Sequence, residues 1–224
     1  MKARYDRNFE ALSELESELL RTKKICIVGC GGLGGYILEQ FLRIGVGSIT
    51  VIDGDCFEES NLNRQLLSDE TLIGTSKALA AKARAKAVNS QIEVTAVEAF
   101  LTEENAEALL KDHDIVMDAV DNIAARKIMG KMCKELGIPL MYGAIQGWYA
   151  QISLISPGSS LLDTLYQESE KLTSKSSLSF TPAVCASFQV AEAVKYLCGR
   201  GCPLNGKVLY VDMLSMEAVM VRFP

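Results

Sequence analysis

Residues 24–35 read KICIVGCGGLGG, and residues 48–53 read SITVID. The first stretch is a short apolar run ending on glycines, the pattern of a buried parallel strand that turns into a helix. The helix follows at 33–44 with Leu33, Ile37, Phe41 and Ile44 on one face, and a second strand at 48–52 runs into Asp53, 24 residues after Gly29. Gly29, Gly31, Gly32 and Gly34 let backbone approach a phosphate or a ribose, and the helix N-terminus favours anions. A carboxylate at the end of the second strand accepts from ribose hydroxyls. Glycines alone also serve plain helix–strand packing. Strand, turn, helix and acid in this order point to an adenine nucleotide.

The rest of the chain keeps the same rhythm. Leu12, Leu15 and Leu19 among glutamates predict an amphipathic helix over 8–20. After a polar loop, 76–88 (SKALAAKARAKAV) has the composition of a strong helix. Strands are expected at 91–97, 115–119 and 139–143, with helices at 103–111 and 124–136, the last stopped by Gly137. From 151 the pattern changes: a strand at 151–155, a polar stretch at 157–179 with seven serines, a helix at 183–197, and strands at 208–212 and 218–223. This predicts an α/β fold: a doubly wound (Rossmann-like), mostly parallel sheet with a C-terminal antiparallel extension and a crossover loop at 157–183. One domain over 1–224 is expected, with a helical arm at 1–22, a nucleotide-binding core at 23–150, and crossover loop, helix and closing strands at 151–224.

Composition agrees and excludes. With 224 residues, 49% hydrophobic and 23% charged, a sizeable core is available. A net charge of −5 speaks against DNA or an anionic membrane, both of which demand a cationic surface. No apolar run approaches the roughly 20 residues that span a bilayer, and MKARYDRNFE has no apolar signal core. Seven cysteines, an odd number, read as reduced thiols in a cytoplasmic protein. Cys26/Cys30 and Cys198/Cys202 are spaced C-x3-C and no C-x2-C pair occurs, so most are expected to be small buried hydrophobes and no zinc site is expected.

The segment after the second strand, DGDCFEESNLNRQLL, carries Asp53, Asp55, Asn61, Asn63, Arg64 and Gln65 within thirteen positions. Ligands of open α/β sheets bind at that edge. An arginine there offers a planar fork for phosphate oxygens, the asparagines offer amide donors, and Lys77 at the next helix start offers a point charge. A hydride-transfer enzyme has little use for this cationic set, so an NAD-dependent dehydrogenase is a distant alternative. The only histidine, His113, reads as a surface residue. The strand at 115–119 leads into DAVDN at 118–122; Asp121, beyond the strand, is placed to hold Mg2+ against a triphosphate, and Asp118 to anchor backbone amides.

With these residues assembled, the chain resembles the ThiF/MoeB/HesA family, bacterial relatives of ubiquitin-activating enzymes. The matching pieces are RYDRN at 4–8, VGCGGLGG at 28–35, GVGSITVIDGD at 45–55, ESNLNRQ at 59–65, GTSK at 74–77, DAVDN at 118–122 and ASFQVAEAVKYL at 186–197. The resemblance implies adenylation with ATP and Mg2+ of the C-terminal Gly-Gly carboxylate of a ubiquitin-like sulfur carrier, for molybdopterin or thiamine biosynthesis, releasing pyrophosphate. It implies that Gly32 and Asp53 contact the nucleotide, that Ser60, Asn61 and Arg64 surround the phosphates, that Lys77 meets the triphosphate, and that Asp121 holds the metal beside Asn122. It further implies a homodimer in which Arg7 reaches into the partner subunit's site. Many members bind zinc through two C-x2-C pairs; Pro157-Gly-Ser-Ser stands in place of the first. A short, zinc-free form is therefore expected. Residues 157–184 hold no cysteine for a sulfur-transfer step, and Cys185 reads as structural.

Two other readings stay open from the sequence. One is a tRNA-modifying dehydratase of the same family, which adenylates a nucleoside. The other is a non-catalytic nucleotide-binding adaptor, against which Arg7, Arg64, Lys77 and Asp121 stand together.

Overall fold

The structure, a computed structural model, describes residues 3–166 and 176–223. Its sheet has eight strands: β1 (Lys24–Val28), β2 (Ser48–Ile52), β3 (Glu93–Val97), β4 (Ile115–Asp118), β5 (Leu140–Gln146), β6 (Tyr149–Ile155), β7 (Lys207–Asp212) and β8 (Glu217–Arg222). Their spatial order is β3-β2-β1-β4-β5-β6-β7-β8. The first five run parallel and β6, β7 and β8 are added antiparallel, as the sequence predicts. The order reverses between β1 and β4, so that gap is the switch point where the C-terminal strand ends open onto a crevice.

The helices are α1 (Glu14–Leu20), α2 (Gly32–Ile44), α3 (Lys77–Val88), α4 (Ala106–Leu110), α5 (Ile123–Leu136), α6 (Leu161–Leu165) and α7 (Phe180–Leu197). They cover both sheet faces. Alternate β1 residues feed two cores: Ile25 and Ile27 pack with residues of α2 and α7. Cys26 and Val28 pack with residues of α4, α5 and α6. A run buried on both faces is why KICIV shows no polar alternation. None of the described helices is long and apolar enough to cross a membrane.

Several boundaries differ from the sequence reading. The helix expected at 8–20 is a 3-10 turn at Ala3–Asn8 followed by α1. Glu10 takes a left-handed φ of 73°, and Ser13 and Glu16 close a reciprocal capping box that starts the helix afresh. Tyr5 anchors this arm: Asn89 donates to its hydroxyl at 2.8 Å and to Leu42 O at 2.8 Å. The strand at 139–143 runs on to Gln146 and pairs with β6 through a hairpin, so β6 straddles the 150/151 division of the arm-core-closure reading. The helix expected from Ala183 begins at Phe180, because Pro182 falls in its first turn, where no intrahelical donor is lost. Within the serine-rich stretch, Leu161 and Leu162 turn inward as α6; residues 167–175 of the expected crossover loop lie outside the described residues.

Candidate functional site

A cleft of about 830 Å3 opens at the switch point. Its floor is the glycine turn. Gly29 has φ +100°, and a Cβ there would lie 2.5 Å from Ala119 O; a Cβ on Gly34 would lie 1.8 Å from Gly29 O. Both positions therefore demand glycine, one for its φ and one for the closeness of α2 to β1. Asp53 braces the same turn: Oδ2 accepts from the Cys30 amide at 2.6 Å and Oδ1 from the Asp55 amide at 2.8 Å. Burial pushes the Asp53 carboxyl up, against the pull of those two amides and of Lys77.

The second wall comes from the loop after β2. Arg64 is held by Ser60 O at 2.9 Å and Asn63 Oδ1 at 2.8 Å. Gln65 lies against Gly31 and lines the cleft, and its Oε1 is buried without a protein partner. Lys77, 8% exposed, opens α3 with its ammonium 3.3 Å from Asp55 Oδ2. A buried ammonium with one carboxylate partner keeps donors available to an anion in the cleft.

The third wall is DAVDN. Asp118 is fully buried and accepts the Val120 amide at 3.2 Å, as expected, but its main partner is Arg126 of α5, Nε to Oδ2 at 2.6 Å. Burial alone would lower the Arg126 pKa; the adjacent Asp118 carboxylate outweighs it and holds the guanidinium charged. Arg126 also donates to Val120 O at 2.8 Å, Gly143 O at 3.1 Å and Tyr166 Oη at 3.0 Å. Asp121 is exposed on the cleft wall, and Asn122 caps α5 by accepting from the Ala125 amide at 2.8 Å. Asp121 is thus the carboxylate this wall presents to the cleft, an oxygen ligand of the kind a hard divalent cation takes together with phosphate oxygens.

Ten of the residues singled out from sequence meet at this cleft: Gly29, Gly31, Gly32, Asp53, Asp55, Arg64, Gln65, Lys77, Asp121 and Asn122. Ser60, Asn61 and Asn63 are not among the residues that line it. Their polar atoms are used within the loop. Asn61 Oδ1 accepts from the Glu58 amide at 3.0 Å, Ser60 donates to Glu58 at 3.4 Å, and Asn63 donates to Ser177 O at 3.2 Å, tying the loop to the start of α7. Arg7 is exposed in the 3-10 turn, away from its own chain's cleft.

The sequence reading missed Arg126 and the far end of the cleft, formed by Tyr149, Gln151, Tyr166 and Tyr210. Tyr142 donates to Gln151 Oε1 at 3.0 Å and shares a 2.9 Å hydroxyl contact with Tyr166. Arg126 was visible in principle, since it falls in helical register with Met129 and Cys133 on the buried face of α5. Tyr149 and Tyr210 come from β6 and β7, which only the antiparallel pairing brings together, and Tyr166 follows the last residue of α6.

Cys26, Cys30, Cys133 and Cys185 are buried. Burial pushes the Cys133 thiol up to about 12 and raises Cys185 as well, so neither presents a thiolate.

The sequence matches the ThiF family over residues 5–224. It is 32% identical to the molybdopterin-synthase adenylyltransferase of Escherichia coli over 207 residues, covering 89% of this chain and 83% of that protein. It is 34% identical to the sulfur carrier protein adenylyltransferase of Thermus thermophilus, covering 92% and 81%. It is 31% identical to the SAMP-activating enzyme E1 of Haloferax volcanii, covering 91% and 78%. Among solved structures, E. coli MccB with ATP superposes with a TM-score of 0.85 at 22% identity, over 100% of this chain and 73% of that one, a likeness of fold. By a match that spans nearly its whole length, this chain belongs to the ThiF family.

Proposed function

We propose that the protein is an ATP-dependent adenylyltransferase that activates the C-terminal glycine of a small ubiquitin-like sulfur carrier as its acyl-adenylate. The observation that carries this reading is the meeting of a glycine turn, Asp53, Arg64, Lys77 and Asp121 around one cleft that continues past them to a neutral aromatic end. The relatives named above include a molybdopterin-synthase adenylyltransferase and a sulfur carrier protein adenylyltransferase, which supports a sulfur carrier as the substrate here, in molybdopterin or thiamine biosynthesis. The protein is read as cytoplasmic, the setting that suits its seven cysteines.

The carrier carboxylate attacks the α-phosphorus of ATP; the new O–P bond forms as the bond to the bridging oxygen breaks and pyrophosphate leaves. No proton has to be removed from the nucleophile, so positioning and charge neutralisation are what the protein must supply. The glycine-turn amides and Asp53 hold the nucleoside side, and Arg64, Gln65 and Lys77 face the phosphates. Asp121, with Asn122 beside it, would hold Mg2+, whose chemistry is to neutralise phosphate charge as it develops. The far end, lined by Tyr149, Gln151 and Tyr210, has room for a tail without side chains such as Gly-Gly. Arg7, exposed on the N-terminal arm, is proposed to complete the site of a partner subunit in a homodimer.

The test is isotope exchange between ATP and pyrophosphate. Exchange is expected only when a carrier ending in Gly-Gly is present; no exchange with any such carrier from the same organism refutes the proposal.

A further inference from the structure

Phe100 is 62% exposed, an unusual place for a ring that size, and it lines the cleft. Its backbone is pinned. Asn105 donates to Phe100 O at 2.9 Å while its Oδ1 accepts from the Thr102 amide at 2.8 Å, closing the turn that leads into α4. The next residue, Leu101, is buried. The ring itself lies on Gly54: a Cβ at that glycine would come within 2.7 Å of Cδ2 and 2.8 Å of Cγ and Cε2. One face of the phenyl is thus seated on a bare backbone next to Asp53.

Beside it the cleft has an apolar floor. Val28, Ile52 and Leu101 belong to one hydrophobic cluster and all three line the cleft. A purine needs an apolar slot for its faces, and a fixed aromatic at the lip of such a slot is a stacking platform. We propose that Phe100, seated on Gly54, stacks on the nucleotide and makes nucleotide affinity depend on an aromatic ring at position 100. This rests on the nucleotide-binding part of the reading above and not on the identity of the carrier.

The test is calorimetric binding of α,β-methylene-ATP and of AMP to the whole protein and to four variants. Phe100→Ala is expected to weaken both ligands by about 5- to 150-fold, the loss of one base–aromatic stack, and by the same factor for each because no phosphate is involved. Phe100→Leu loses most of that affinity although it keeps the bulk, whereas Phe100→Trp keeps it. Gly54→Ala, which displaces the ring, weakens both ligands in the same way. Thermal unfolding of each variant is measured alongside, since exposed substitutions leave stability nearly unchanged. Binding by Phe100→Leu or Phe100→Ala equal to the unaltered protein overturns the proposal, as does an unaltered protein that binds neither ligand. An unaltered protein that binds both ligands yet shows no carrier-dependent exchange overturns the adenylation reading and leaves stacking to be decided by the variants.

Discussion

Arg126 and Asp118 form an ion pair in the core, Nε to Oδ2 at 2.6 Å, with side-chain exposures of 3% and 0%. The same guanidinium holds the carbonyl of Val120, one residue before Asp121. The charge pair and the turn that carries the candidate metal ligand are therefore one mechanical unit. Removing one partner of a buried pair leaves an uncompensated charge, at a cost of about 3–5 kcal/mol. Arg126→Met is expected to lose that much stability in denaturant unfolding. Arg126→Lys keeps the charge but cannot reach Tyr166, Val120 and Gly143 together, so it falls between. A loss under about 1 kcal/mol for Arg126→Met would mean the pair does not organise the turn.

On the cleft wall Asp121 is exposed and Arg64 half-buried, and the loop contacts of Arg64 are surface contacts. Charge stabilisation in a phosphoryl-transfer transition state is worth about 10²–10³ in rate for a single donor. Arg64→Ala and Asp121→Ala should each lower carrier-dependent ATP–pyrophosphate exchange by that factor or more, with the unfolding midpoint nearly unchanged. Exchange within tenfold of normal in either variant would remove that residue from the machinery.

What the sequence made legible follows from how local each signal is. Strand β1, the glycine turn and Asp53 form a compact pattern, and the structure joins them where β1 and β2 end side by side: Val28 pairs with Ile52, and just beyond, the Cys30 amide donates to Asp53. For Ser60, Asn61 and Asn63 the sequence does not say which contacts they make, because a polar side chain in a loop has two kinds of customer, ligand and backbone. Here the backbone amide of Glu58 and the carbonyl of Ser177 take Asn61 and Asn63. Gln189 was invisible for a different reason. It is buried in α7 and donates to Asp118 O at 2.9 Å and Met141 O at 3.1 Å, contacts that exist only once α7 has crossed the sheet.

Gly34 offers a sharper test of the turn than Gly29, because the obstacle is backbone. A Cβ at 34 would lie 1.8 Å from Gly29 O and cannot be relieved by a side-chain rotation. Gly34→Ala must push α2 off β1, and overpacking of this kind costs about 1–3 kcal/mol or more. Because Asp53 and the Cys30 amide share that turn, AMP binding should fall below detection in the same variant. Retained AMP affinity by calorimetry would show that the turn tolerates a wider spacing and that the closeness is not required for the nucleotide.

The N-terminal arm, which carries Arg7, is tied to the end of α7 by Arg200. Its guanidinium pairs with Glu16, at 2.7 Å from Nη2 to Oε2, and donates to Ala11 O at 2.8 Å. Arg200, with the Ser13 amide and hydroxyl, holds the Glu16 carboxyl down from 4.5 to about 2. A depressed carboxyl means that the folded state prefers the ionised form. Its contribution to stability is complete above pH 4.5, declines as the pH falls from there toward 2, and is gone below 2. An NMR titration of the Glu16 carboxyl carbon should therefore find a midpoint near 2, moving back toward 4.5 in Arg200→Ala. A midpoint near 4.5 in the unaltered protein would show that the arm is not docked on α7 in solution. The position of Arg7 for a second subunit would then have to be set by the subunit contact itself and not by the fold of one chain.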